Sequence, residues 1–383
     1  MYHAYGNKNK NGKKTNILIV EDHSAPYRDE TFAKTMEKGC RIAILTEKRA
    51  DAHGHKEWQY TSPMEAYREY AKCAVHTRIG AYRHGLLKKV RFLRPDAVCT
   101  GSMLEGLAVK LSAGYPVRIV RCSDTMKQGR HGSWRSNRLL LTWLYRTADA
   151  VWVPGKAAKK YYSGYFRDTG SIWQGCYTRD ARRLAADIAA WRTVRLQEKK
   201  KAGFLETNVV FLFIGKLIRT RRVEVLLRAA EQMESVYPQV RMLIIGDGEM
   251  ESQVTQYVKR HDNVVHIPQV PVCELEKYYA IADAYVHPGG EPYSVALYEA
   301  AVAGIPVIAS KEAGAAADCL RDGSNGYYFA YGDPRDLFQK MVQVMEHRQE
   351  LQTGAARVSA FIKRQRGTEW SASQLMQACG IME

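Results

Sequence analysis

The feature that most constrains this chain is a repeated alternation of short, unbroken apolar runs with segments of helical periodicity. Asn16 to Val20 (NILIV) is a strand of the buried type, Thr31 to Lys38 reads as a helix stopped by Gly39, and Cys40 to Leu45 is the next strand. Runs without polar alternation suit strands covered on both faces, and a strand–helix–strand succession of this length is a βαβ unit on a parallel sheet. Asp96 to Thr100, Val117 to Val120 and Ala150 to Val153 continue the pattern, with helices expected at 64–92, 104–111 and 134–147. After a turn-rich piece and a charged helix (178–200), Val209 to Ile214 (VVFLFI) opens a second series. Helix 222–234, strand 242–245, helix 250–260, strand 264–267, helix 273–280 and strand 284–287 follow.

The second series culminates in Gly290 to Ser310, GEPYSVALYEAAVAGIPVIAS, which reads as loop, helix and buried strand. Pro292 suits a first helical turn, Gly304 a stop, and Ile305 to Ala309 a buried strand. Glu291 and Glu299 bracket the helix start. Closing helices are expected over 337–361 and 371–379.

At 383 residues two domains are the default. The expected division is a basic tail over 1–15, an N-terminal domain over 16–175, a C-terminal domain over 176–360, and a terminal helix (361–383) returning toward the first. No apolar run approaches the ~20 residues of a membrane-spanning helix, and the polar, basic first residues do not read as a secretory signal. Eight scattered cysteines without a CxxC pair suit a reduced, cytoplasmic protein with no metal framework. A net charge of +17 suggests an anionic partner. The cations alternate with acids and no RNA-binding signature appears, so nucleic acid is not expected. The basic helices around 78–94 and 130–146 either meet an anionic bilayer, at ~1 kcal/mol per cation, or are simply solvated.

The segments FIGKLIRTRRVEVLLRA, LIIGDGEM, YAIADAYVHPGGEPYSVALYEAAVAGIPVIAS and DGSNGYYF resemble, in order and spacing, retaining GT-B glycosyltransferases of family 4 (glycosyl transferases group 1). The resemblance is specific over about 209–340. In the N-terminal half APYRDETF, RPDAV and ADAVWVPGKAAKKYY resemble a branch acting in surface polysaccharide assembly. It implies an α/β GT-B fold of two Rossmann-like domains with a deep interdomain cleft and closing helices. The implied activity is metal-independent transfer of a sugar, with retention, from a UDP- or GDP-sugar to a carbohydrate or lipid-linked acceptor. The setting would be the cytoplasm or the inner face of the membrane. An epimerase, a phosphorylase or a binding-only member on the same fold remain alternatives.

Transfer from a nucleotide sugar leaves a diphosphate, whose charge needs cations. Lys216 and Arg221, in the loop after VVFLFI, match the family's two cations in reversed identity; as a bare sequence they are also a solvated basic run. Arg222 stands where the family has glycine. Amides of Tyr293, Ser294 and Val295 are placed to hold the diphosphate at a helix start, with Gly215 beside it. Ser294 again replaces a family glycine. By resemblance Glu291 lies beside the donor sugar and Glu299 accepts from the ribose; Glu291 alone also reads as a helix cap. Gly246-Asp247-Gly248 is either a tight turn or part of the cleft lining. His23, Tyr27 and Arg28, in the loop after the first strand, are acceptor-side candidates. Asp124 is a candidate catalytic carboxylate or a loop cap.

Overall fold

The structure, a computed structural model, describes residues 15–47, 62–77, 79–123, 138–166 and 168–381, and the elements below are those of the described residues. They form two compact units: 15–179 with 366–381, and 180–365.

Unit 1 is built on a parallel sheet in the order β3-β2-β1-β6-β7-β8-β9. Its strands are β1 (Asn16–Glu21), β2 (Arg41–Glu47), β3 (Arg68–Ala71), β6 (Ala97–Thr100), β7 (Arg118–Cys122), β8 (Ala150–Pro154) and β9 (Ile172–Gly175). β4 (Cys73–Thr77) and β5 (Gly80–Arg83) form a separate antiparallel hairpin. Right-handed crossovers set α1 (Pro26–Glu37) on one face of the sheet. The other face carries α2 (Leu86–Leu93), α3 (Met103–Ser112), α4 (Arg138–Tyr145) and α5 (Gly155–Ser163). Leu18, Val98 and Ile119 of the strands pack there against Leu86, Val90 and Val109. The C-terminal helix α15 (Thr368–Ala378) belongs to this unit and packs on α1, β8 and β9.

Unit 2 comprises β10 (Val209–Ile214), β11 (Val240–Ile245), β12 (Val264–Ile267), β13 (Ala284–His287), β14 (Val307–Ser310) and β15 (Gly326–Phe329). All pair in parallel, in the order β12-β11-β10-β13-β14-β15. Numbered within the unit this is 3-2-1-4-5-6, the doubly wound Rossmann order. Its helices are α6 (Ala181–Arg192), α7 (Arg195–Lys201), α8 (Val223–Val236), α9 (Glu251–Val258), α10 (Leu275–Ile281), α11 (Val295–Ala303), α12 (Ala316–Cys319), α13 (Pro334–Glu346) and α14 (Arg348–Gln365). Phe211, Phe213, Leu226, Met233 and Ile244 are among the residues of its core.

Four expectations are corrected. The helix expected over 64–92 is β3, the β4–β5 hairpin and only then α2. Arg68 fixes β3 by salt bridges to the buried Glu21 and Asp29, a pairing invisible to periodicity. The charged helix 178–200 is two helices, parted at Thr193 and Val194, with the strand β9 ahead of it. The DGSNGYYF turn runs into a sixth strand, β15. Pro292 lies before α11 rather than in its first turn, because Ser294 is the N-cap. Gly304 ends that helix at φ +69°, the left-handed stop its position suggested.

Candidate active site

In a sheet of this order the crossovers reverse direction between β10 and β13, and ligands bind outside the carboxyl ends of the strands at that point. There the loop 215–222 meets the loop 288–294. The Gly290 N–H faces the Thr220 carbonyl at 3.4 Å. A Cβ on Gly289 would stand 3.2 Å from the Arg221 Cα and displace the Glu291 carboxylate, so a side chain there would disturb this approach. Ser310, ending β14, donates to the Gly289 carbonyl at 2.5 Å, and the Gly314 N–H donates to that of Glu291 at 3.0 Å. The Ser310–Gly314 segment thus braces the loop.

Three charged or titratable side chains converge. Arg221, on a single 3-10 turn (Arg219–Arg221), forms an ion pair with Glu291. His287, the last residue of β13, is fully buried, and its Nε2 lies 2.8 Å from Glu291 Oε1. Burial, reinforced by the Arg221 charge, lowers the His287 pKa well below the ordinary imidazole range, so this ring is neutral. A carboxylate has more than one lone pair on each oxygen, so Glu291, paired with Arg221, can still accept from a ligand's hydroxyls.

Around α11 the expectations divide. Val295 is its first residue, and Ser294, buried, accepts from the Leu297 N–H at 3.3 Å. The serine that replaces the family's glycine is therefore a helix cap with extended backbone, φ −100°. Tyr293 is buried, its ring tilted against Tyr298. Glu299 is only 4% exposed, far from a surface helix position, and Tyr279 donates to its carboxylate at 3.3 Å.

Lys216 lies exposed in the loop after β10, beside Gly215. The Gly246-Asp247-Gly248 turn packs on this loop: Leu217 N–H donates to the Asp247 carbonyl at 2.6 Å, and a Cβ on Gly246 would run into the Gly215 carbonyl. Arg222, the other departure from glycine, has φ +53°. Its guanidinium stacks over the Tyr331 ring at 4.9 Å and donates to the Tyr331 hydroxyl at 3.0 Å.

In unit 1 a cavity of about 630 Å³ opens at the carboxyl ends of β1, β6, β7 and β8. His23, Tyr27 and Arg28 all line it, with Arg121, Cys122, Ser123, Trp152 and Tyr177. Tyr27 and Arg28 sit in the first turn of α1 and not in the preceding loop. Tyr27 and Tyr177 rings lie 5.1 Å apart, and the Trp152 Nε1–H is buried without a protein acceptor. Burial raises the Glu21 pKa, against the lowering effect of Arg28 and Arg68. Asp124 lies outside the described residues.

Sequence reasoning passed over His287. A histidine closing an otherwise apolar strand at the carboxyl edge of a parallel sheet was the available signal. Trp152 and Tyr177 gave none, since a strand tryptophan reads simply as core.

Residues 194–357 match the family model of glycosyl transferases group 1. The phosphatidyl-myo-inositol mannosyltransferase of Mycobacterium leprae is 29% identical over 181 residues, covering 46% of this chain and 47% of that protein. The D-inositol 3-phosphate glycosyltransferase of Thermobifida fusca is 28% identical over 155 residues, 37% of this chain and 36% of that protein. The chain thus spans about half or less of the curated relatives it matches. The crystal structure of Anabaena HepE in complex with UDP superposes with a TM-score of 0.73 at 18% identity, covering 96% of this chain and 100% of that one. The fold is that of the GT-B proteins, two Rossmann-like halves each on a parallel sheet.

Proposed function

We propose that this chain, whose residues 194–357 match the glycosyl transferases group 1 model, is an enzyme that moves a sugar from a nucleoside diphosphate sugar to a carbohydrate or lipid-linked acceptor with retention of configuration. The observation that carries this is the meeting of Arg221, Glu291 and His287 at the reversal point of the unit 2 sheet. UDP in the structure of HepE favours a uridine donor over a guanosine one.

In this reading the diphosphate lies over the start of α11, against the amides of 293–295, with Arg221 and Lys216 balancing its charge. These two cations supply the charge that a metal ion would otherwise bring. As the glycosidic bond to phosphate breaks, negative charge grows on the leaving oxygen and the cations gain their advantage there. Losing one such group costs about 10²–10³ in rate. Glu291, held by Arg221 and beside neutral His287, accepts hydrogen bonds from the donor sugar. Glu299, held by Tyr279, accepts from the ribose hydroxyls. The acceptor occupies the unit 1 cavity, where Tyr27, Trp152 and Tyr177 offer aromatic faces and His23, Arg28 and Arg121 polar edges. Its hydroxyl proton passes to the departing phosphate on the same face, so no separate base is required; Asp124 stays a candidate acceptor-side or sugar-side carboxylate. A lipid-linked acceptor would put the enzyme in polysaccharide or glycoconjugate assembly, in the cytoplasm and peripherally on the membrane's inner face.

The test is a thermal-shift series across nucleoside diphosphates, followed by transfer assays with the stabilising one. Glu299→Ala and Lys216→Ala should still fold and lose transfer; full activity in either sinks the assignment. Turnover of a nucleotide sugar without acceptor would instead indicate an epimerase, and dependence on orthophosphate a phosphorylase.

A further inference from the structure

The β4–β5 hairpin carries a group of side chains that the transfer reading does not use. Its pairs run Thr77 with Gly80, His76 with Ala81 and Val75 with Tyr82, but then Cys73 with Arg83, so Ala74 is an extra, bulged residue. In a regular strand residues three apart point to opposite faces. The bulge changes that parity: Cys73, paired with Arg83, and His76, paired with Ala81, share one face. Bulges re-aim side chains in this way. Glu47, the last residue of β2, meets that face, its Oε1 being 3.7 Å from His76 Nε2.

We propose that Glu47, Cys73 and His76 bind a transition-metal dication of borderline softness, of the zinc type, at the exposed edge of the unit 1 cavity. Their ligand atoms, a carboxylate oxygen, a sulfur and a ring nitrogen, all lie within 4.8 Å of one another. Around tetrahedral zinc, with bonds of ~2.0–2.3 Å, ligand atoms stand roughly 3.3–3.8 Å apart. Small side-chain rotations therefore close the set. Three protein ligands leave a fourth position for water. Arg83 lies 3.8 Å from Glu47 Oε2 and is already held by both Glu105 oxygens at 2.8 Å and by Asp22. Its charge is compensated elsewhere, which leaves Glu47 available. The Cys73 thiol has only sulfur contacts to the Val75 and Tyr82 carbonyls, at 3.3 and 3.6 Å. On binding it loses its proton to solvent and ligates as thiolate.

Glu47 and His76 also line the cavity, so a bound ion obstructs whatever enters there. This consequence rests on the cavity being the acceptor site; the binding itself does not. Titrating the full chain with Co²⁺ should give one saturable equivalent with near-ultraviolet thiolate charge-transfer absorption. Zn²⁺ should displace it. Cys73→Ser should abolish the band, and His76→Ala should weaken Zn²⁺ binding at least tenfold, both with an unchanged metal-free melting temperature. Deleting Ala74 keeps all three ligands but turns Cys73 away, and should abolish the band too. A band that persists in Cys73→Ser, or equal Zn²⁺ affinity in His76→Ala, overturns the site. Zn²⁺ should inhibit transfer by the wild type and not by His76→Ala. If binding is intact and transfer indifferent to zinc, the acceptor reading of the cavity fails and the metal site stands.

Discussion

Arg222 holds a left-handed backbone, φ +53°, that disfavours a side chain by roughly 1–2 kcal/mol. Its side chain is held by the strap to Tyr331, a stacked cation and one hydrogen bond, and by a bond to Glu224 at 3.2 Å. Such a contact contributes about 0.5–1 kcal/mol. Arg222→Gly relieves the strain and loses the strap, so urea unfolding should place it within about 1 kcal/mol of the wild type. Arg222→Val keeps the strain and loses the strap, and should be destabilised by about 2 kcal/mol or more. Equal stability of the two variants would refute the argument. At His287 the sign of a pH effect is fixed by burial. Its folded pKa is depressed below the ~6.5 of the unfolded chain, so the unfolded state binds more protons as pH falls. Stability is therefore intact above about pH 6.5 and declines below it, by up to ~1.4 kcal/mol per pH unit while the folded ring stays neutral. Melting curves of wild type and His287→Gln at pH 7.5 and 5.5 isolate that share: the variant should lose less on acidification.

Elements were legible where the chain is locally consistent. VVFLFI became β10 because six successive residues are buried, and the apolar run alone announces that. The 64–92 region failed as a helix for the opposite reason: β3 is held by Arg68 reaching Glu21 and Asp29, 47 and 39 residues away in sequence. The site divides along the same line. Glu291, Arg221 and Glu299 stand in spaced motifs, whereas the Glu291–His287 approach exists only once β13 and its loop are folded. β15 gives the sharpest element-scale case. Gly326 opens it at φ +148°, and a Cβ there would run into the Val307 carbonyl of the neighbouring strand. A ladder carbonyl cannot move aside without breaking the pairing to β14. Gly326→Ala should thus cost at least about 2 kcal/mol. Amide exchange over 326–329 and 307–310 should rise together, and protected amides there would contradict the close approach.

At the scale of the whole molecule the unspent quantity is charge, +17 over 383 residues. Part of it is concentrated on the helical layer α2–α5 of unit 1, where Lys88, Arg91, Arg94, Lys110, Arg146, Lys156 and Lys160 are exposed. The helices themselves carry one acid, Glu105, buried against Arg83, while Asp149 beside the layer pairs with Lys110 at 2.8 Å. The layer also presents Phe92, Leu111, Leu139 and Trp143, each more than half exposed. Cations with protruding aliphatic and aromatic side chains fit an anionic bilayer surface. No helix of the described residues is long and apolar enough to cross a membrane. The prediction is reversible binding to phosphatidylglycerol vesicles, weakened by salt and absent on neutral phosphatidylcholine. Each interfacial cation is worth ~1 kcal/mol, so Lys88→Glu with Arg91→Glu should lower vesicle affinity by more than tenfold, since reversal adds repulsion to the loss of attraction. Trp143→Ser should weaken binding with little change in its salt dependence. Equal sedimentation with neutral vesicles, or an unaffected double reversal, would show that these basic helices are merely solvated.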